Sequence, residues 1–183
     1  MNRKKVLILA WITLLVFPLP VVLFFYYGEG QNLYEIFQVQ KIKLIPIGYG
    51  LEFGIVYAFF ASILLKSSVF SELPINLEKL ISSMKIKRID ALFISFCAGF
   101  GEEILFRSGM QHYLGILITS IVFVAIHGYL NPFNWRYSLY GLIVLPFILL
   151  LSMGFEHFGL WFAIAAHFSY DAVLFWSYIK EPN

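Results

Sequence analysis

Charged residues are scarce in this chain of 183 residues. Lysine, arginine, aspartate and glutamate together make up 13% of it, about half the usual share, whereas 60% is hydrophobic and 19% is aromatic. A domain of this size leaves much of its surface exposed, so it cannot keep that much apolar surface away from water. The composition argues against intrinsic disorder and against a nucleic-acid-binding domain, and it predicts an integral membrane protein with no nucleic-acid partner.

Cysteine is almost absent. The single residue, Cys97, excludes an internal disulfide framework and a zinc site built on thiolates. It lies within the apolar run 91–100, where we expect a buried small hydrophobic side chain. The His-Glu-x-x-His signature of many zinc proteases is also missing.

Long apolar runs are present instead, and about 20 such residues can form a membrane-spanning helix. The first run, 6–27, is uncharged, is longer than the apolar part of a signal peptide, and should bend near Pro18 and Pro20. Further spans are predicted at 44–65, 91–110, 113–128, 137–154 and 158–179. We therefore expect an all-α bundle of about six transmembrane helices with the functional site inside it.

The bundle divides by composition into two parts. Residues 1–90 are predicted to hold two transmembrane helices and a cytoplasmic amphipathic segment, and residues 91–183 to hold a core of about four helices. Arg107 lies inside a predicted span. Of the other lysines and arginines, only Lys41 and Lys43 fall in predicted loops on the side of the membrane opposite the N-terminus. By the positive-inside rule, this pattern predicts a multi-pass protein of the cell membrane with a cytoplasmic N-terminus.

The cytoplasmic segment, residues 66–90, has apolar residues at helical spacing: Leu77, Leu80, Ile81 and Met84. Two hypotheses remain open for it. It is either an amphipathic helix on the inner leaflet, with Asn76 as its N-cap, or a solvated loop with one amphipathic turn.

Ionisable residues inside the last four predicted spans are Glu102, Glu103, Arg107, His127, His167 and Asp171. A charged group at the bilayer centre costs about 2.5–3.5 kcal/mol. These residues should therefore face one another or a water-filled cavity, which makes them a candidate functional site.

Spacing suggests how these residues are paired. Glu103 and Arg107 are four residues apart, so they share a helix face and can neutralise each other. Glu102 is rotated by about 100° and has no such partner on its own helix. His167 and Asp171 are again four apart, so that Asp171 can accept the imidazole N–H and fix its tautomer.

Other polar residues are given structural interpretations. Gln111, His112, Glu156 and His157 fall near span ends and are predicted to be interfacial. Gly50 and Gly54 form a small-xxx-small pattern, which favours close helix packing.

The paired residues resemble the motifs of the CPBP family, which comprises CAAX prenyl-endopeptidases and the bacteriocin-processing or immunity-associated membrane proteases. The motif Glu-Glu-x-x-x-Arg matches Glu102, Glu103 and Arg107. Phe-x-x-x-His matches Phe123 and His127, and His-x-x-x-Asn or Asp matches His167 and Asp171. The resemblance covers residues 91–179.

The resemblance implies an intramembrane endopeptidase that needs no cofactor. In the implied mechanism, Glu102 activates a water held with His127. His167, oriented by Asp171, holds the water or stabilises the oxyanion. Glu103 and Arg107 brace the helix. In the metalloprotease alternative, Glu102, His127 and His167 bind zinc. The implied partners are the lipid bilayer and a peptide or protein substrate, which could be lipidated and CAAX-like.

Two hypotheses from other classes remain open. A small proton-coupled transporter would also place Glu, His and Asp inside a helical bundle. A non-catalytic bacteriocin-immunity or scaffold protein would have the same fold and would not depend on the motif residues.

Overall fold

Helices joined by short turns and irregular segments make up the part of the chain that the computed structural model describes, which is residues 2–67, 77–131, 133 and 135–179. The α-helices there are α1 Arg3–Val16, α2 Pro18–Leu23, α3 Leu33–Ile36, α4 Leu44–Leu65, α5 Leu77–Met84, α6 Arg88–Glu103, α7 Gln111–Ile126, α8 Trp135–Phe158 and α9 Leu160–Tyr178. Two π-helical segments, Phe24–Gly28 and Ile104–Met110, follow α2 and α6. These described residues contain no strand, so the predicted all-α class is confirmed.

Four helical runs among the described residues are long and apolar enough to cross a membrane: Arg3–Gly28, Leu44–Leu65, Arg88–Ile126 and Ser138–Phe158. The second has the bounds predicted from the sequence. The first bends where proline was expected to bend it, because α1 ends at Val16 and α2 begins at Pro18. These runs confirm a helical, multi-pass membrane protein.

The run Arg88–Ile126 folds back on itself at Gly115. Its 39 residues would extend for ~58 Å, about twice the thickness of the hydrocarbon core. Gly115 has a φ of 71°, in the left-handed region that glycine adopts readily. The chain then returns, so that the ring of Phe123 lies 4.8 Å from that of Phe106. The run therefore contains the predicted third and fourth spans. Their boundary lies a few residues later than predicted.

Helix α9 is the central helix of the bundle, since α4, α6 and α8 all pack along it. A Cβ on Gly50 of α4 would collide with the carbonyl oxygen of Phe162, and a Cβ on Gly54 with that of Ala166. The close packing predicted for these glycines is confirmed. Although α9 was predicted as a sixth span, it is not among the four most apolar runs, because it carries His167 and Asp171.

One end of the bundle, here called the N-terminal end, is formed by the starts of α1 and α6, by α5 and by the last turn of α9. Arg3 donates hydrogen bonds of 2.6 and 2.7 Å to the two carboxylate oxygens of Asp90, which ties α1 to α6. Ile81 of α5 is 4% exposed and packs with Val6 and Ile86. The loop hypothesis is therefore wrong for residues 77–84, where a helix forms and buries Ile81 in the bundle. The predicted N-cap, Asn76, lies outside the described residues.

Candidate active site

A cavity of about 300 Å³ lies between α6, α7, α8 and α9 and extends to Ile81 and Met84 at the N-terminal end. Its wall is mostly apolar and aromatic. The predicted site residues in that wall are Glu102, His127, His167 and Asp171. The other two, Glu103 and Arg107, are fully buried directly behind it. The structure thus brings all six residues together.

Glu102 and His127 are neighbours in the wall of the cavity. The distance from Glu102 Oε2 to His127 Nε2 is 3.4 Å, and the two side chains are 12% and 30% exposed. His127 Nδ1 lies 2.7 Å from the carbonyl oxygen of Phe123, which can only accept, so Nδ1 carries the hydrogen. In neutral His127, the Nε2 lone pair would face the carboxylate. A neutral His127 therefore donates no hydrogen bond to Glu102 through Nε2.

Glu103 uses both of its carboxylate oxygens. Oε2 accepts from Arg107 Nε at 2.7 Å, and Oε1 accepts from His167 Nδ1, also at 2.7 Å. The predicted ion pair between Glu103 and Arg107 is therefore present, with both side chains fully buried. Arg107 lies in the π-helical segment Ile104–Met110, a kind of irregularity that is frequent at functional sites.

The orientation of His167 differs from the sequence interpretation, which assigned it to Asp171. Asp171 Oδ2 lies 3.5 Å from Nε2, at the outer limit of an ion pair, whereas Glu103 binds Nδ1 at 2.7 Å. Glu103 is thus the acceptor that fixes the tautomer. Spacing along α9 could not show this, because the carboxylate comes from a different helix.

The ring of Phe123 contacts three of the site residues, His127, His167 and Arg107. Its ring stacks on His127 with centroids 4.4 Å apart and meets His167 edge-on at 5.9 Å. Arg107 Cζ lies 5.6 Å from the centroid of the same ring, within cation–π range. Phe123 therefore separates the two imidazoles and covers the buried guanidinium.

Two further polar residues that the sequence analysis did not assign to the site contact Arg107, and a third, Glu156, contacts one of them. Arg107 Nη1 donates to Ser152 Oγ at 2.5 Å and to Gln111 Oε1 at 3.2 Å. Gln111 is 3% exposed and donates in turn to Glu156 at 2.7 Å. The interfacial placement predicted for Gln111 is thus wrong. Gln111 follows Arg107 by four residues, so its contact could have been predicted from the spacing, whereas Ser152 is 45 residues away and gives no such signal.

The zinc alternative can be compared with this arrangement. A catalytic zinc site needs three protein ligands within about 2.0–2.3 Å of one point. Across the described ranges, no three His, Cys, Asp or Glu side chains are grouped so that they could hold a metal ion. As placed, Glu102, His127 and His167 are therefore not grouped as zinc ligands.

Part of the chain is similar to a known protein family. Residues 86–173 match the family described as type II CAAX prenyl endopeptidase Rce1-like. That segment contains all six site residues. The chain is also similar to YpbD of Bacillus subtilis, with 26% identity over 165 residues, which is 87% of this chain and 82% of YpbD. No solved structure matches the chain.

Proposed function

We propose that this chain, whose residues 86–173 match the Rce1-like family, is an intramembrane endopeptidase that uses Glu102 as its base. The observation that carries the proposal is the pairing of Glu102 with His127 in the cavity wall. The family makes a protease of membrane-associated substrates the expected activity. We propose as its substrate a membrane peptide or protein, lipidated and CAAX-like at the cleaved end.

The two adjacent glutamates have different roles in this proposal. Both oxygens of Glu103 are engaged by Arg107 and His167, so Glu103 is not free to take a proton. Glu102 lines the cavity, and its carboxylate lies 3.4 Å from His127, farther than the 2.7 Å bonds of Glu103. A water molecule beside Glu102 and His127 would lose a proton to Glu102 as its oxygen bonds to the carbonyl carbon. Glu102 then passes that proton to the leaving nitrogen as the carbon–nitrogen bond breaks.

His167 assists at the carbonyl oxygen. Its Nδ1–H is committed to Glu103, so the ring presents Nε2 on the side of Asp171 and the cavity. Asp171 can accept a hydrogen bond from a protonated Nε2, and that N–H can also donate to the tetrahedral oxyanion. Arg107, Gln111 and Ser152 act behind the cavity, where they hold Glu103 in place.

Access to the cavity is from the N-terminal end of the bundle. Ile81, Met84 and Phe175 form its outer wall there. The starts of α1 and α6 at this end carry the basic residues Arg3, Lys4, Lys5 and Lys87. By the positive-inside rule, we propose that this end of the bundle faces the cytoplasm. A substrate would thus be cut close to the inner membrane surface, with its apolar part in the bundle.

The test is cleavage by the purified protein in proteoliposomes of a library of membrane-anchored peptides, with products identified by mass spectrometry. The proposal expects defined cleavage products with the wild type and none with Glu102→Gln. Equal products from both proteins would assign the cleavage to a contaminant. Peptide binding without any cleavage would favour the non-catalytic alternative.

A further inference from the structure

Tyr129 lines the active-site cavity but belongs to none of the three motifs. It follows His127 by two residues, across Gly128, whose φ is 78°. The Gly128 N–H donates to the Ala125 carbonyl at 2.9 Å, and the Tyr129 N–H donates to the Val124 carbonyl at 3.1 Å. These paired bonds form a Schellman motif, which ends α7 and turns the chain back toward the cavity.

The tyrosine is fixed on three sides. Its ring lies parallel to the His127 ring, with centroids 6.1 Å apart and an interplanar angle of 15°. It meets Tyr140 edge-on at 4.6 Å. Its carbonyl oxygen packs so closely on Gly141 that a Cβ there would collide with it. Tyr129 is therefore held in one position beside His127, as a preorganised group must be.

The hydroxyl group of Tyr129 is a free donor. Within the described part of the chain, it has no hydrogen-bond partner. Burial, together with the charges of Asp171 and Glu102, raises the pKa of Tyr129 to about 12. The hydroxyl thus keeps its proton at any pH at which a glutamate base would work.

Charge in the cavity explains why a neutral donor is needed. Glu102 and Asp171 both line the cavity and would repel a developing oxyanion. The Nδ1–H groups of both histidines are already bound elsewhere, to Phe123 and Glu103. A tyrosine hydroxyl adds a hydrogen-bond donor without adding charge.

We propose that Tyr129 is a further catalytic residue, whose hydroxyl donates a hydrogen bond to the carbonyl oxygen of the scissile peptide bond as negative charge develops on it. The inference rests on the proposed protease function. It assigns Tyr129 a role in transition-state stabilisation alongside His167.

The test compares Tyr129→Phe with the wild type on one cleaved peptide. Loss of one oxyanion donor should lower kcat by about 10²–10³-fold. KM and the melting temperature should change little, because the ring packing is kept. Tyr57→Phe is the matched control, since the Tyr57 hydroxyl donates to the Ile143 carbonyl at 2.9 Å outside the cavity. That control should keep the wild-type kcat.

A wild-type kcat in Tyr129→Phe overturns the inference, as does a loss of activity that appears only in KM or in the melting temperature. Should Tyr129→Phe fail to fold, Tyr129→Gln and Tyr129→Leu take its place. The amide can donate and the isobutyl group cannot, so only the glutamine variant should recover part of kcat. Equal rates in those two variants contradict the role. A wild-type protein that cleaves no peptide contradicts the proposed function itself.

Discussion

Glu103 joins Arg107 to His167, because each of its two carboxylate oxygens lies 2.7 Å from a nitrogen of one partner. The contact with His167 links α6 to α9. The charge of Arg107 stabilises the Glu103 carboxylate, which in turn orients the His167 ring. The neighbouring Glu102 has no such bonds and faces the cavity. Two adjacent glutamates thus have different environments, since Glu103 is buried with both oxygens bonded and Glu102 lines the cavity.

The first prediction concerns Glu103. The change Glu103→Gln leaves the buried charge of Arg107 without its counter-ion and leaves one acceptor oxygen where Arg107 and His167 now use two. Breaking a buried ion pair on one side typically costs about 3–5 kcal/mol. We expect a clear fall in melting temperature and in yield of folded protein, measured in detergent. Glu102→Gln is the matched control and should melt close to the wild type. Equal melting temperatures for all three proteins would contradict the assignment.

The second prediction concerns Asp171. Because Glu103 already fixes the His167 tautomer, Asp171→Asn should keep most of the activity, since an amide oxygen can also accept near Nε2. Asp171→Ala, which removes the acceptor, should be slower. The measurement is kcat on one peptide for the three proteins. An asparagine variant as inactive as the alanine variant, though still folded, would make the charge of Asp171 essential.

Much of this arrangement could be predicted from the sequence. The bounds of α4, the bend before Pro18 and the close packing at Gly50 and Gly54 follow from local rules on apolar length, proline geometry and small residues. The site residues stand out because charge inside a membrane span is costly. Such patterns act along one helix, where spacing alone determines which residues share a face.

Contacts between helices could not be predicted in the same way. The pairing of Glu103 with His167 joins residues 64 apart in sequence, and the bond from Arg107 to Ser152 spans 45. The turn at Gly115 depends on a left-handed φ. The sequence alone does not show that the chain turns at this residue. The central position of α9 also follows from packing between helices, which its own residue spacing does not show.

The third prediction tests metal dependence. No group of ligands among the described residues is arranged to hold a metal ion, so peptide cleavage should survive prolonged EDTA treatment. The purified protein should contain less than one zinc per chain when measured by mass spectrometry. Complete loss of activity with EDTA that zinc alone restores would show that Glu102, His127 and His167 rearrange to bind the metal.

The fourth prediction tests orientation in the membrane. On a Cys97→Ala background, Lys85→Cys and Phe133→Cys should react with an impermeant thiol reagent from the cytoplasmic side. Phe133 is 97% exposed, so its replacement should be reachable. Lys43→Cys, which precedes α4, should react only from the opposite side. Labelling of positions 85 and 133 from opposite sides would contradict the arrangement of helices between them.

The central claim is that Glu102 activates water to hydrolyse a peptide bond inside the bundle. The most direct measurement is cleavage of one identified peptide by the protein in proteoliposomes, carried out in oxygen-18 water. We predict that the new carboxyl terminus gains one labelled oxygen, and that Glu102→Gln forms this product at least 10²-fold more slowly while remaining folded. A product without the label, or one that Glu102→Gln forms at the wild-type rate, would contradict the account.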